Sequence, residues 1–227
     1  MIRAILLDVG GVFHLPTERK VRHALAAAGF ALGPGGLARA HYAGMAGHDE
    51  QDAEYEELLP PYCRALAIDL GVPADQIEDA VTRLVASFME PDSWTDLIED
   101  AVATLPELRA SGKKLGIVSN ADGSVEARLR DAGVCQVGPG RGVEMDVIID
   151  SGAAGVRKPD PRIFRMALKA IGVDASEAVH VGDSLITDVG GARAAGIRPL
   201  HLDPFRLCPH REDHAHLKTL RGLLAAL

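Results

Sequence analysis

Five short runs dominated by Val, Ile and Leu punctuate the chain, at residues 4–9, 115–119, 146–150, 178–182 and 199–202. Each is about one strand long, and within each the apolar residues follow one another instead of alternating with polar ones. A strand of that kind must be covered on both faces, which is the condition of a strand inside a parallel sheet. Before and between the later runs lie helical patterns at residues 100–111, 124–131, 161–171 and 187–195, followed by Gly112, Gly133, Gly172 and Gly196. Glycine just past a helix end is the expected C-terminal signal. The alternation predicts an α/β chain, a doubly wound parallel sheet with helices on both faces. Pro106 falls inside the first helical stretch and predicts a kink or a late start there, because proline has no amide to give the helix.

From residue 17 to residue 92 the strand signal vanishes, replaced by Ala/Leu-rich and Glu-rich segments broken at residues 33–36, at Pro60 and Pro61, and at Pro73. This reads as a helical insertion between the first two strands, dividing the chain into a core of residues 1–16 with 93–227 and an insertion of residues 17–92. A length of 227 residues accommodates one such core and its insertion. The acidic stretch at residues 49–57 reads as a solvated helix face. A net charge of −8 repels phosphate backbones and argues against a nucleic-acid grip. With aromatics at only 4%, the core must be aliphatic.

Cys63, Cys135 and Cys208 form no CxxC pair and read as free thiols of a reducing compartment. The opening apolar run is short and cut by Asp8, so it reads as a buried strand and not a signal peptide. No stretch approaches the ~20 apolar residues of a membrane span. The expectation is a cytoplasmic protein, monomer or homodimer, acting on a small molecule.

In an open α/β sheet the ligand crevice lies beyond the carboxyl ends of the strands. Asp8 ends the first run, Ser119 and Asn120 end the second, and Asp183 follows the fourth with Asp188 five residues on. One acidic residue at a strand end can simply cap a loop. Two carboxylates at neighbouring strand ends repel unless a cation sits between them, and Mg²⁺ favours such oxygen ligands. Asp8 and Asp183 are the candidate metal ligands.

The segments LLDVGG, GIVSN, VRKPD and HVGDSLITD resemble, in order and spacing, the four motifs of the haloacid dehalogenase-like superfamily. The insertion after the first is similar to that family's helical C1 cap. The resemblance implies a Rossmann-like core and an aspartyl-phosphate mechanism in which Asp8 attacks phosphorus. It implies Mg²⁺ held by Asp8, Asp183 and the backbone carbonyl of Gly10. Lys158 would neutralise charge, while Ser119 and backbone N–H groups near Gly10 and Gly11 hold the phosphate oxygens. Asn120 would orient the phosphate pocket, and Asp188 would order water or Lys158.

Phosphatases of this family usually carry a second aspartate two residues after the nucleophile, where it acts as general acid and base; here Gly10 stands in its place. The loss costs on the order of 10²–10⁴ in rate for a poor leaving group, and much less for one that departs unprotonated. Three readings follow. The first is a phosphatase acting on an activated phosphate ester, or recruiting His14, water or the substrate as acid. The second is a 2-haloacid dehalogenase, whose halide leaves without a proton. The family's dehalogenases tend to lose the metal-binding aspartate of the last motif, however, and this chain keeps Asp183 and Asp188. The third is a fold that binds phosphorylated ligands or a protein partner and turns nothing over.

The segment RLCPHREDHAH gathers Cys208, His210, His214 and His216. Its cysteine spacing matches no closed zinc pattern and charges crowd it, so it reads as a solvated loop. Trp94, the single tryptophan, is expected to pack where the insertion rejoins the core. Arg39, His41, Tyr42 and the acidic residues at 54–57 are the insertion's candidates for facing a substrate.

Overall fold

The computed structural model describes residues 1–49 and 59–227. The acidic residues at 54–57, and all but Asp49 of the acidic stretch, lie outside the described residues. The first apolar run becomes strand β1 (Ala4–Leu7), fully buried along its length. After it come β2 (His14–Pro16), α1 (Glu18–Ala27), α2 (Leu37–Asp49), α3 (Leu59–Asp69), α4 (Ile77–Phe88) and β3 (Trp94–Leu97). The chain continues through α5 (Glu99–Ala110), β4 (Lys114–Ser119), α6 (Val125–Asp131), β5 (Cys135–Val137), β6 (Val143–Met145), β7 (Val147–Asp150) and α7 (Ser151–Ala154). It closes with α8 (Pro161–Ile171), β8 (Ala178–Gly182), α9 (Gly191–Ala194), β9 (Arg198–Leu202), β10 (Ala215–Leu217) and α10 (Leu223–Ala226).

Six strands form one sheet in the order β10-β9-β8-β1-β4-β7, each pair of neighbours parallel. From β1 the chain winds outward through β4 and β7 on one side, then through β8, β9 and β10 on the other. The fold is thus doubly wound, and its direction reverses between β1 and β8. Side chains alternate along β1. Ile5 and Leu7 join Leu105, Leu108 and Ile117 in one core, while Ala4 and Leu6 join Val118, Ile163 and Phe164 in the other. Gly116 of β4 stands between its cross-strand partners Leu6 and Val147 and leaves room for both, since a Cβ there would lie 2.8 Å from Leu6 Cδ2 and 2.9 Å from Val147 Cγ1.

Helix ends follow local chemistry. Asp160 caps α8 by accepting from the Arg162 amide, Pro161 occupies the first turn, and Gly172 ends the helix at φ 67°. Three local expectations are corrected. Helix α5 starts at Glu99 and runs through Pro106 without a late start. The stretch at residues 187–195 is a wide π turn (Leu185–Gly190) followed by the single-turn α9. There the Ser184 carbonyl accepts from the amides of both Asp188 (3.1 Å) and Val189 (3.0 Å). The RLCPHREDHAH segment is no open loop throughout, because β10 grows from its end and pairs with β9, His216 opposite His201. Three residues are too few for a periodic signal.

The chain forms two compact units, one of residues 1–13, 98–202 and 210–227, the other of residues 14–97 and 203–209. The chain crosses between them at 13/14, 97/98, 202/203 and 209/210. Within the second unit β2 and β3 pair with each other, His14 opposite Leu97 and Leu15 opposite Asp96. The second unit has its own core of Leu25, Leu66, Leu84 and neighbours. Trp94 packs there against His41, Tyr62 and Phe88, with ring centroids 5.4, 5.9 and 5.6 Å away. His41 is buried and bonded to the Tyr62 hydroxyl at 3.0 Å, Arg39 pairs with Asp69, and the Tyr42 ring meets Phe205. Among the described residues no helix is long and apolar enough to cross a membrane.

Leu6 is fully buried at the sheet's centre. Leu6→Ala should therefore cost about 2–5 kcal/mol in urea unfolding, while Met166→Ala on the exposed side of α8 should stay within about 0.5 kcal/mol. Similar losses at both positions would contradict this assignment of the core.

Candidate active site

The nucleophile candidate sits where β1 ends. The Asp8 backbone N–H donates to the Val181 carbonyl at 2.9 Å, so the residue is still tied to β8 as it leaves the sheet. The chain then folds back sharply, with the Phe13 amide on the Val9 carbonyl at 2.8 Å. This turn passes through Gly11 at φ 63°, a conformation that glycine adopts at no steric cost. Phe13, fully buried, anchors the far side. Gly10 sits in open space, where a Cβ would meet nothing within 4 Å.

Because β8 lies beside β1, Asp183 at the end of β8 faces the same crevice as Asp8. One carboxylate oxygen from each of Asp8, Asp183 and Asp188 lies within 4.8 Å of the others. Lys158 enters this group with its ammonium 2.8 Å from Asp8 Oδ1 and 2.7 Å from Asp188 Oδ1. All four side chains are buried, Lys158 almost completely at 1% exposure.

The placement of each group has a local cause. Asn120, just past β4, holds Lys158 by its main chain. Its Oδ1 accepts from the Lys158 amide at 2.8 Å, and its Nδ2 donates to the Lys158 carbonyl at 3.0 Å. The loop carrying Asn120 is fixed in turn by Asp150, whose carboxylate accepts from the amides of Gly123, Val125 and Gly152 at 2.9, 3.1 and 2.9 Å. Asp188 is carried inward by the π turn and accepts from Lys158, from His180 Nε2 at 2.7 Å and from the Ser184 amide at 3.2 Å. It approaches β8 only because Gly182 lacks a side chain, since a Cβ there would run into the Asp188 carboxylate.

Electrostatics separate these carboxylates. Burial pushes the Asp8 carboxyl up to about 7, with the neighbouring Asp188 and Asp183 adding to the rise and Lys158 opposing it. Burial works the same way on Asp188, but Lys158 and His180 overcome it and hold the group well below the usual carboxylate range. Burial would lower Lys158, yet Asp188 and Asp8 keep it above its ordinary value, so it stays charged. His180 is pushed down by burial. Lys158 brings one positive charge to three carboxylates, which leaves room for a divalent cation. Hard, closely spaced oxygen donors are also the set that Mg²⁺ prefers.

The structure thus gathers Asp8, Lys158, Asp183 and Asp188, and brings in Asn120 through Lys158. Ser119, the buried last residue of β4, and Gly10 and Gly11 lie at the same carboxyl ends. His14 belongs to the second unit, buried on β2. Two contributors escaped the sequence reading. His180 sits within a strand that reads only as apolar core, and Asp150 ends a strand whose role in fixing a loop depends on distant amides. All three cysteines are buried and none is in a disulfide, and burial pushes Cys63 and Cys135 up to about 12. Elsewhere in the first unit His214 is pushed down to about 4, by partial burial and by His201 and His216 beside it.

The sequence model of the haloacid dehalogenase-like hydrolases matches residues 2–196. The chain belongs to that family. It is 36% identical over 160 residues to haloacid dehalogenase-like hydrolase domain-containing protein 3 of Bos taurus, covering 68% of this chain and 60% of the bovine protein. The chain therefore spans about three fifths of that relative's length. It is 33% identical over 168 residues to a phosphoserine phosphatase of Thermus thermophilus, covering 69% of this chain and 65% of the relative. Among solved structures, the Bacillus subtilis HAD-hydrolase YfnB bound to magnesium superposes with a TM-score of 0.61 at 21% identity, covering 100% of this chain and 98% of that one.

The raised Asp8 carboxyl has a consequence for stability. In an unfolded chain it ionises near 3.9, whereas folded it keeps its proton to about 7. Between those values the folded state binds more protons, so this group weakens the fold as pH rises. Asp8→Asn should therefore melt above wild type at pH 8 in chelator, with the difference shrinking toward pH 5. A variant destabilised equally at both pH values would contradict the electrostatic account.

Proposed function

We propose that this protein hydrolyses a small phosphorylated metabolite through an aspartyl-phosphate intermediate on Asp8. The observation that carries the reading is the packing of Asp8, Asp183 and Asp188 within 4.8 Å, with the Lys158 ammonium among them, at the carboxyl ends of β1 and β8. Similarity to a phosphatase over 168 residues supports a phosphate ester as substrate.

In this reading the Asp8 carboxylate attacks phosphorus, the leaving oxygen departs, and water then cleaves the acyl phosphate. A phosphate dianion repels an attacking carboxylate, so positive charge must already be in place. Lys158 supplies part of it at a fixed position, held through its main chain by Asn120 and through its ammonium by Asp188. The Ser119 hydroxyl and the amides around Gly10 and Gly11 hold the phosphoryl oxygens. Asp8, Asp183 and the Gly10 carbonyl would hold Mg²⁺. When bound, the ion supplies the remaining charge neutralisation and polarises the phosphoryl group. Gly10 offers no acid, which favours substrates whose leaving group departs without protonation.

The glycine also favours a second reading, haloacid dehalogenation through the same Asp8, which needs neither acid nor metal. Retention of Asp183 and Asp188 ranks it below the first. Phosphate release from p-nitrophenyl phosphate and sugar phosphates that stops with chelator supports the phosphatase. Chelator-insensitive halide release from 2-chloropropionate replaces it with the dehalogenase, and silence on the whole panel points to a binding protein.

Asp8→Asn should lower phosphate release by at least about 10³-fold while the circular dichroism stays that of wild type. Residual activity near wild type would sink the mechanism. Gly10→Asp places a carboxyl in open space and should raise kcat/KM on alkyl phosphates by about tenfold or more, with little change on p-nitrophenyl phosphate. Equal gains on both would show that an acid already acts elsewhere.

A further inference from the structure

A second constellation of metal-ligating side chains lies in the first unit, built of imidazoles. Strands β9 and β10 pair in parallel with His201 directly opposite His216, and His214 immediately precedes β10. The three rings lie close together, His214 stacked on His216 and His201 tilted against both, with centroids 5.1 Å apart for His201–His214, 5.1 Å for His201–His216 and 4.3 Å for His214–His216. One ring nitrogen from each lies within 4.8 Å of the others. Around a zinc ion with bonds of about 2.0–2.1 Å, ligand nitrogens sit roughly 3.4 Å apart, so modest ring rotations would close the set.

The arrangement around His201 prepares it as a ligand. Its Nε2 lies 3.0 Å from the Asp183 carbonyl, a bond that requires the proton on Nε2. The bare nitrogen is then Nδ1, which faces His214 Nε2 at 2.9 Å. An imidazole that donates its far N–H to a backbone carbonyl while turning its lone pair to a shared point is the arrangement metal-binding histidines use. His201 is buried, and His214 and His216 are partly so.

We propose that His201, His214 and His216 bind a transition-metal ion of the zinc class, at a site separate from the carboxylates around Asp8. Three imidazoles suit Zn²⁺, Co²⁺, Ni²⁺ or Cu²⁺ and not Mg²⁺, which seeks oxygen. The bound ion would tie the edge strand β10 to β9 and, through the His201–Asp183 bond, steady the backbone that carries Asp183. The site does not depend on the phosphatase reading.

The test uses the full chain, stripped with chelator and titrated with ZnCl₂ under a large excess of Mg²⁺ to fill any carboxylate site. Wild type should take up one zinc equivalent and melt at higher temperature when loaded. The double variant His214→Gln/His216→Gln should bind at least about 100-fold more weakly and lose the melting shift. His216→Gln alone, on the edge strand, serves if the double variant folds poorly. With Co²⁺ in place of zinc, wild type should show visible bands of a low-coordinate ion that the variants lack. Equal zinc affinity in wild type and variants, or a cobalt spectrum like that of the aqueous ion, would overturn the proposal.

Discussion

The ammonium of Lys158, buried between Asp8 and Asp188, is the contact on which the rest of the site depends. Taking charges out of water costs several kcal/mol per ion, and attraction between them repays this only when the geometry is good and the remaining hydrogen-bonding capacity is filled. The surroundings meet that condition piece by piece. Asn120 bonds both sides of the Lys158 main chain, and Asp150 holds the loop that carries Asn120. His180 and the Ser184 amide complete the Asp188 carboxylate, and the bare backbone of Gly182 lets it approach. Asp188 settles well below the ordinary carboxylate range as a result. Asp8 shares the same lysine without that further support, and its carboxyl rises to about 7.

That inequality gives the two aspartates different work. Asp188 is a fixed counter-ion whose charge is already satisfied, suited to holding Lys158 in place. Asp8 carries charge at a cost, which suits a group whose carboxylate is stabilised by what binds next to it. The sheet supplies the meeting point. With winding reversed between β1 and β8, the carboxyl ends of these neighbours open onto one crevice, where no crossover connection fills the space. Asp8 and Asp183 face each other there because the strands that carry them pair in register.

The same sheet ends in a three-residue strand that brings a different chemistry together. His201 and His216 meet through the β9–β10 register, and His201 reaches back to the Asp183 carbonyl. The first unit thus holds an oxygen-donor cluster and a nitrogen-donor cluster, linked through one backbone carbonyl. Their chemical preferences differ, since oxygen donors suit Mg²⁺ and imidazoles suit the zinc class.

The sequence by itself determined the architecture of the core, since uninterrupted apolar runs separated by helical periods leave few alternatives to a two-sided parallel sheet. It also placed Asp8, Ser119 and Asp183 at strand ends, because strand ends are a local property of the chain, whereas Lys158 was singled out only by the order of the motifs. What depended on distance along the chain was decided only by the tertiary structure. The partnership of Lys158 with Asp8 spans 150 residues of sequence, His180 looked like core until Asp188 reached it, and Asn120 proved to grip the Lys158 main chain. The pairing of β2 with β3, across the long segment between them, likewise shows only in the fold. The C-terminal histidines read as a charged loop for the same reason. Their third member, His201, lies a strand away, and only the pairing of β9 with β10 brings the three rings to one place.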